Sequence, residues 1–218
     1  MTRHRLTLLA LLALLPAKAG ATPADLCRRA AHLAAAETGV PEEVLLALTL
    51  TETGRGAGSA MEPWPWAVNH AGAGQWARDS AEAEGIVTEI LAGGATNVDL
   101  GCFQLNWRWH GASFASVAAM LEPEANARYA AELVAAHYDR SGSWTSAAGA
   151  FHSATPEKAE RYLERFTPIL ATLLETPLPE PEPQDRPNRF ALLRPGPAGA
   201  AGSLVPRSDG AGPLFGAP

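Results

Sequence analysis

The sequence predicts a mostly helical α+β domain with one small β-hairpin, followed by a disordered C-terminal tail. Three observations lead to this fold class. Several segments begin at a helix-starting residue, carry apolar residues at helical spacing and end near glycine. One stretch rich in tryptophan and glycine alternates as a hairpin does. The last 42 residues, 177–218, hold ten Pro and six Gly, and this composition cannot bury enough apolar surface to order itself.

The start of the chain has the pattern of a secretory signal peptide. Arg3 and Arg5 precede an apolar run from Leu6 to Leu15, and small residues in an A-x-A pattern follow. The alternative is a membrane anchor, but the run is about half of the ~20 residues that span a bilayer. We therefore expect residues 1–21 to be removed on secretion, and we expect no membrane span in the remaining chain.

The composition of the secreted part limits its partners and its redox state. Residues 22–218 hold 14 basic and 23 acidic residues, a net charge of −9 with histidine neutral, which disfavours nucleic acid as a partner. Both cysteines of the chain, Cys27 and Cys102, lie in this part. In an oxidising compartment such a pair often forms a disulfide, and the alternative is two buried free thiols.

The first elements of the domain, residues 22–176, have clear start and stop residues. Thr22 precedes a proline and, three residues on, an aspartate, which is a typical helix start, and Gly39 is a typical stop. A second helix is predicted over Pro41–Thr53, because proline is favoured in a first helical turn. The stretch 63–79, with its aromatic residues and Gly-rich centre, predicts the short β-hairpin.

Helical periodicity continues after the hairpin. Serine or proline marks the start of each later segment, and glycine follows several of them. The expected helical ranges are 80–91, 113–120, 123–140, 143–152 and 156–175. The domain should therefore be built around helices, with the hairpin as a minor element.

The second helix places one carboxylate on an apolar face. Leu45, Leu48 and Glu52 lie at positions i, i+3 and i+7, which share one side of a helix. Loss of water and the negative end of the helix dipole both raise the pKa of a carboxyl group at this position. A protonated carboxyl group in an apolar cleft suits a general acid. The alternative is a side chain that rotates into solvent at the end of the helix.

The stretch DLGCFQLNWRWHG, residues 99–111, supplies candidate sugar-binding groups. Gly101 allows a tight turn, and the amides of Gln104 and Asn106 can both donate to and accept from the hydroxyl and N-acetyl groups of an amino sugar. The six tryptophans could stack on sugar rings or serve as ordinary core residues, and Trp66 and Trp107 are the candidates for extending a cleft. Since the metal, phosphate and dinucleotide motifs are missing from the sequence, we expect no cofactor and no metal.

These motifs together resemble one enzyme family. Glu52-Thr53-Gly54 is similar to the E-S-G or E-T-G catalytic motif of lytic transglycosylases with the goose-lysozyme-like fold. The run from Asp99 to Asn106 resembles that family's D-x-G-L-M-Q-I-N stretch, while Asn126 and Ala150-Phe151-His152 resemble its third motif and its A-Y-N motif. The likeness covers roughly residues 24–170. It is greatest to the flagellum-associated periplasmic enzymes of alphaproteobacteria, which share the PWPW hairpin, the GCFQLN-x-RWHG stretch and a disordered tail.

The resemblance implies a lysozyme-like domain that cleaves the β-1,4 bond between N-acetylmuramic acid and N-acetylglucosamine in peptidoglycan. Glu52 would be the catalytic acid and base, and the product would be a 1,6-anhydro sugar. The residues implied to bind substrate are Phe103, Gln104, Asn106, Tyr129, Phe151 and His152. Phe151 stands where the family has a tyrosine that bonds the catalytic Glu, so either burial alone tunes Glu52 or another donor such as Tyr129 supplies the bond.

Two other function classes stay open from the sequence. A lysozyme-type hydrolase would need a second carboxylate, for which Asp99 is the candidate, although its simpler role is to hold the turn before Gly101. A wall-binding or scaffold-binding protein without catalysis is the third class, because Phe151 lacks the family's hydroxyl. By resemblance we expect a periplasmic location, glycan strands of peptidoglycan as the substrate, and a flagellar rod or rod-cap protein as partner of the tail.

Overall fold

A computed structural model describes residues 22–56 and 61–175 of the chain. In these residues the predicted mostly helical α+β class is confirmed, with a small antiparallel sheet beside the helices. The signal-peptide prediction for residues 1–21 and the disordered-tail prediction for residues 177–218 lie outside the described residues. Within the described ranges, no helix is both long enough and apolar enough to span a bilayer.

Two helices begin at the side-chain caps that the sequence predicts, and one ends at its predicted glycine. Thr22 and Asp25 form a reciprocal capping box, Ser143 caps a later helix, and Gly39 adopts the left-handed conformation that ends the first helix. The helices of the described part are α1 Pro23–Thr38, α2 Glu42–Thr53, α3 Ser80–Ala92, α4 Trp107–His110, α5 Val117–Leu121, α6 Pro123–Ser141, α7 Trp144–His152 and α8 Pro156–Glu175.

The sheet is larger than the single hairpin that the sequence predicts. Its strands are β1 Ala67–His70, β2 Ala73–Trp76, β3 Val98–Leu100 and β4 Leu105–Asn106, in the spatial order β2-β1-β3-β4 with antiparallel pairing throughout. The hairpin itself is confirmed, and Ala71 and Gly72 at its tip both have positive φ, as a tight hairpin turn requires. β3 and β4 are too short to show an alternating pattern, and they form because β3 pairs with β1 and β4 pairs with β3.

The helix predicted over 113–120 is shorter than expected. Ser116 caps α5, and the residues before it form a 3₁₀ turn over Gly111–Ser113 that follows the unpredicted single-turn α4. The side chain of Asn106 accepts a hydrogen bond from the backbone N–H of Arg108 and so begins α4. A local cap therefore diverts the chain into a short helix at this point.

The disulfide between Cys27 and Cys102 is present, which confirms that alternative over two free thiols. It joins α1 to the turn that follows β3, and both cysteines are fully buried. Leu45 and Leu48 of α2 are fully buried in the same core, together with Phe103 and Phe166. The end of α2, the turn after β3 and α8 are thus held around one core, and the groove described next lies at its edge.

Candidate active site

An open groove with a volume of about 730 Å³ runs between the sheet and the C-terminal helices. One wall is made by the sheet and α4, and the other by the end of α7 and by α8. The carboxyl group of Glu52, from the last turn of α2, reaches the groove between these walls. Its side chain is only 13% exposed, so the alternative in which it rotates into solvent is wrong.

The surroundings of Glu52 raise its pKa to about 7. Burial is the main cause, and the negative charge of Asp99 adds to it. The nearby hydroxyl of Tyr162 and the positive charge of Arg165 act in the opposite direction and lower this pKa. The group is therefore close to half protonated near neutral pH, the state that proton donation followed by proton uptake requires.

Tyr162 is a site residue that sequence reasoning missed. It lies on α8 and is 2% exposed, and its hydroxyl faces Glu52 and Thr51 without forming a hydrogen bond within the described residues. Burial is the first cause that raises the pKa of this phenol, so it stays neutral and can donate to a carboxylate. A tyrosine four residues before the buried Phe166, on one face of an amphipathic helix, was the available signal.

Tyr129 does not supply the hydroxyl that Phe151 lacks. Its hydroxyl lies 3.1 Å from His110 Nδ1 and 3.2 Å from Ser113 Oγ, so the alternative in which Tyr129 bonds Glu52 is wrong. Nor does Tyr129 line the groove, so its predicted contact with substrate is not found. It instead positions the ring of His110, which does line the groove.

His152 lies beside the carboxyl group without forming a tight ion pair. Its Nδ1 is 3.9 Å from Glu52 Oε1, and its ring stacks on Tyr162 at a centroid distance of 4.3 Å. Burial, followed by the positive charge of Arg165, lowers the pKa of His152. The imidazole is therefore mainly neutral near pH 7. Phe151 and His152 both line the groove, as the sequence predicts for substrate-binding residues.

Gln104 lies in a turn that the core holds in place. Gly101 and Gln104 both have positive φ, and a Cβ on Gly101 would lie 2.6 Å from Asn126 Nδ2. Asn126, fully buried, accepts from the N–H of Phe103 and donates to the carbonyls of Leu100 and Met120. The Gln104 amide nitrogen donates to the carbonyls of Ala67 and Gly101, which leaves its amide oxygen available to a ligand.

Asn106 and Asp99 line the groove but are engaged with each other. Asn106 Nδ2 donates to Asp99 Oδ1 at 2.7 Å and to Asn97 Oδ1 at 2.9 Å. Asn69 Nδ2 donates to the second oxygen of Asp99 at 3.1 Å. Both oxygens of Asp99 therefore have amide partners, and Asn106 orders the groove wall through its own internal bonds.

The aromatic residues of the groove differ from those expected. Phe103 is fully buried in the core, so its predicted contact with substrate is wrong. Trp66 and Trp107 pack partly buried against the core and do not line the groove. The lining tryptophans are Trp76 at the end of β2 and Trp109 on α4, which are 50% and 70% exposed. Exposed indole faces of this kind suit the C–H faces of sugar rings.

Comparison of the chain with protein-family models, curated proteins and solved structures finds no match. Within the described residues, no group of three or more His, Cys, Asp or Glu is arranged to hold a metal ion. The functional conclusion therefore depends on the chemistry of the groove itself.

Burial of Glu52 predicts a pH-dependent cost in stability. The pKa rises from 4.5 to about 7 on folding, so the native state binds more protons than the unfolded state between these values. Wild type should lose about 3 kcal/mol relative to Glu52→Gln as the pH rises from 4 to 8, with the change complete just above pH 7. Denaturant unfolding at both pH values measures this difference.

The matched control for this stability measurement is Glu43→Gln, at the start of the same helix and away from the groove. Taking the difference between variant and wild type at each pH cancels the titration of all other groups. An identical pH dependence for wild type and Glu52→Gln would show that the carboxyl group is not desolvated in the native state.

Proposed function

We propose that this protein cleaves glycan strands of peptidoglycan, with Glu52 as the proton donor and acceptor. The observation that carries the proposal is a buried carboxyl group with a pKa of about 7 in a groove lined by exposed tryptophans. The tryptophans give sugar rings a surface to stack on, and the available amide oxygen of Gln104 suits an N-acetyl N–H. Such a groove has the stacking surface and the amide group that an amino-sugar polymer can use.

The favoured reaction is lytic transglycosylation, in which one carboxyl group serves both steps. The Glu52 proton goes to the glycosidic oxygen as the C1–O bond breaks, and the leaving sugar departs as an alcohol. The muramic C6 hydroxyl then attacks C1, and its proton returns to the Glu52 carboxylate. Tyr162 and Arg165 stabilise that carboxylate between the two steps. The product is a 1,6-anhydro sugar, and no water is consumed.

The engagement of Asp99 supports this choice. Hydrolysis by a carboxylate pair needs the second group to act as a nucleophile or to activate water. Both oxygens of Asp99 accept hydrogen bonds from amides, so both are already engaged by the groove wall and neither is free to attack the sugar or to hold a water. Glu52 is then the one groove carboxyl group of the described residues that is free to exchange a proton with substrate.

A lysozyme-type hydrolase is the second candidate, because Asp99 faces the same groove and its charge raises the pKa of Glu52. We also propose a periplasmic location, with which a disulfide suited to an oxidising compartment agrees. The flagellar rod or rod-cap protein as partner of the tail remains part of this proposal.

Product analysis separates the two reactions. Digestion of purified peptidoglycan with the full chain should give muropeptides that are one water lighter than hydrolytic products, because the anhydro ring closes without water. Mass spectrometry measures this difference, and a reducing-end assay is the complementary test. Products with free reducing ends would assign the site to hydrolysis, and the absence of any cleavage would reject both enzymatic readings.

A further inference from the structure

The charges of the groove are unevenly distributed between its two walls. Lys158 and Arg165, both on α8 and both exposed, line the groove next to His152. The Arg165 guanidinium donates weakly to the carbonyl of Thr51 at 3.5 Å. In residues 22–56 and 61–175, neither cation has a carboxylate within ion-pair distance.

Lys158 and Arg165 are the basic residues without a carboxylate partner that line the groove, since Arg55, Arg108, Arg140 and Arg161 also have no such partner in the described residues but lie outside it. Four of the described arginines pair with a carboxylate, namely Arg28, Arg29, Arg78 and Arg128. The facing wall contributes amides, tryptophans and Asp99, whose oxygens are already engaged. A ligand in the groove therefore meets unpaired positive charge on the α8 wall only.

The uneven charge of the two walls matters for binding because amino-sugar polymers differ in their own charge. A polymer of N-acetylglucosamine alone is uncharged. Muramic acid adds a lactyl ether that ends in a carboxylate, either free or extended by a peptide that carries carboxylates of its own. An unpaired cation beside the cleavage site can tell these polymers apart, since it interacts with only one of them.

We propose that Lys158 and Arg165 form a subsite for a carboxylate on the lactyl side of muramic acid, which selects peptidoglycan over uncharged amino-sugar polymers. The inference builds on the proposed function, because it concerns the substrate of the same groove. Arg165 also acts on Glu52, so Lys158 is the residue whose replacement isolates the subsite. An exposed ion pair of this type changes affinity by about two- to fivefold.

Binding in the inactive Glu52→Gln background tests the subsite without cleavage. The full chain is titrated with three ligands of matched length: peptide-free muramic glycan, peptide-bearing glycan and an N-acetylglucosamine oligomer. Adding Lys158→Gln should weaken binding of at least one muramic ligand about two- to fivefold and leave the uncharged oligomer unchanged. The two muramic ligands distinguish a free lactyl carboxylate from peptide carboxylates.

The matched control for Lys158→Gln is Arg161→Gln, an exposed residue on the same helix that does not line the groove. It should change none of the three affinities. Equal weakening of charged and uncharged ligands by Lys158→Gln, no weakening at all, or no binding of muramic glycan would each overturn the subsite. The proposed function has a separate test, because it is contradicted if wild type does not cleave peptidoglycan.

Chemical acetylation of lysine gives a second test of the subsite, and it needs no substitution at Lys158. The chain contains only two lysines, Lys18 and Lys158. Lys18 lies in the segment that secretion is expected to remove, so Lys158 is the one lysine of the secreted chain. Muramic glycan should slow acetylation of Lys158 several-fold, with the N-terminal amino group as the internal reference and mass spectrometry as the measurement. The uncharged oligomer should protect Lys158 less at equal occupancy. Equal protection by both ligands would overturn the assignment of a carboxylate to this position.

Discussion

Replacing Glu52 with Gln is expected to lower the rate of peptidoglycan cleavage by at least about a hundredfold, since positioned acid–base catalysis contributes about 10²–10⁴-fold. Gln keeps the shape of the side chain but can neither give nor take a proton. The groove, its tryptophans and the turn at Gln104 should remain, so the variant should still bind glycan. Initial rates of turbidity loss of purified wall, with anhydro-product yield by mass spectrometry, measure the effect.

The pH dependence of the cleavage rate is a second test of the role of Glu52. The acid form is needed for bond cleavage, so the wild-type rate should fall as pH rises through about 7, the pKa of the group in its buried position. Glu43→Gln, on the same helix and outside the groove, should keep the wild-type rate and profile. Equal rates for wild type and Glu52→Gln would remove this carboxyl group from the mechanism.

The longer helices could be predicted because their signals are local. Thr22, Ser143 and Gly39 act through bonds within a few residues of their own positions. β3 and β4 could not be predicted in the same way, because three- and two-residue strands exist through pairing with each other and with β1. A pattern of alternation needs more residues than these strands contain.

Within the site, helical spacing placed Glu52 on the face it shares with the buried Leu45 and Leu48 but left open that its side chain rotates into solvent, and the packing around the groove decided for burial. Its partner Tyr162 was not predictable, since the two residues meet only through the packing of α8 against α2. Phe103 was misassigned because Gly101 and Gln104, with positive φ, turn the chain so that the phenyl ring enters the core. Sequence motifs identified the segments of the groove, and backbone geometry decided which side chains face it.

One turn connects the disulfide to the groove. The carbonyl of Cys102 accepts hydrogen bonds from the hydroxyls of Thr49 and Thr53, at 2.8 and 3.4 Å, on either side of Glu52 in α2. The same turn carries Gln104, and the cross-link to Cys27 anchors it to α1. The disulfide, whose Cys27 is distant from Glu52 in the sequence, therefore helps to position both α2, which carries Glu52, and the amide of Gln104.

Removal of the disulfide is expected to lower the free energy of unfolding by about 4 kcal/mol in the chain-entropy model, because the bond closes a long loop in the unfolded chain. The loop is defined by a sequence separation of 75 residues. For a domain of this size the melting temperature should fall by roughly 10 °C. Calorimetry of the double variant Cys27→Ala, Cys102→Ala measures the change against wild type.

The double alanine variant also removes two buried sulfur atoms, whose loss leaves small cavities in the core. Reduced wild type is therefore the matched control: it keeps those atoms, so its loss of stability isolates the cross-link, and the further loss in the alanine variant measures packing. Loss of the cross-link should lower the cleavage rate even at temperatures where the chain stays folded. The reason is that the turn that contacts Thr49 and Thr53 and carries Gln104 is then no longer tied to α1. An unchanged rate in reduced, folded protein would show that Asn126 alone suffices to hold this turn, and an unchanged melting temperature would contradict the loop-entropy argument itself.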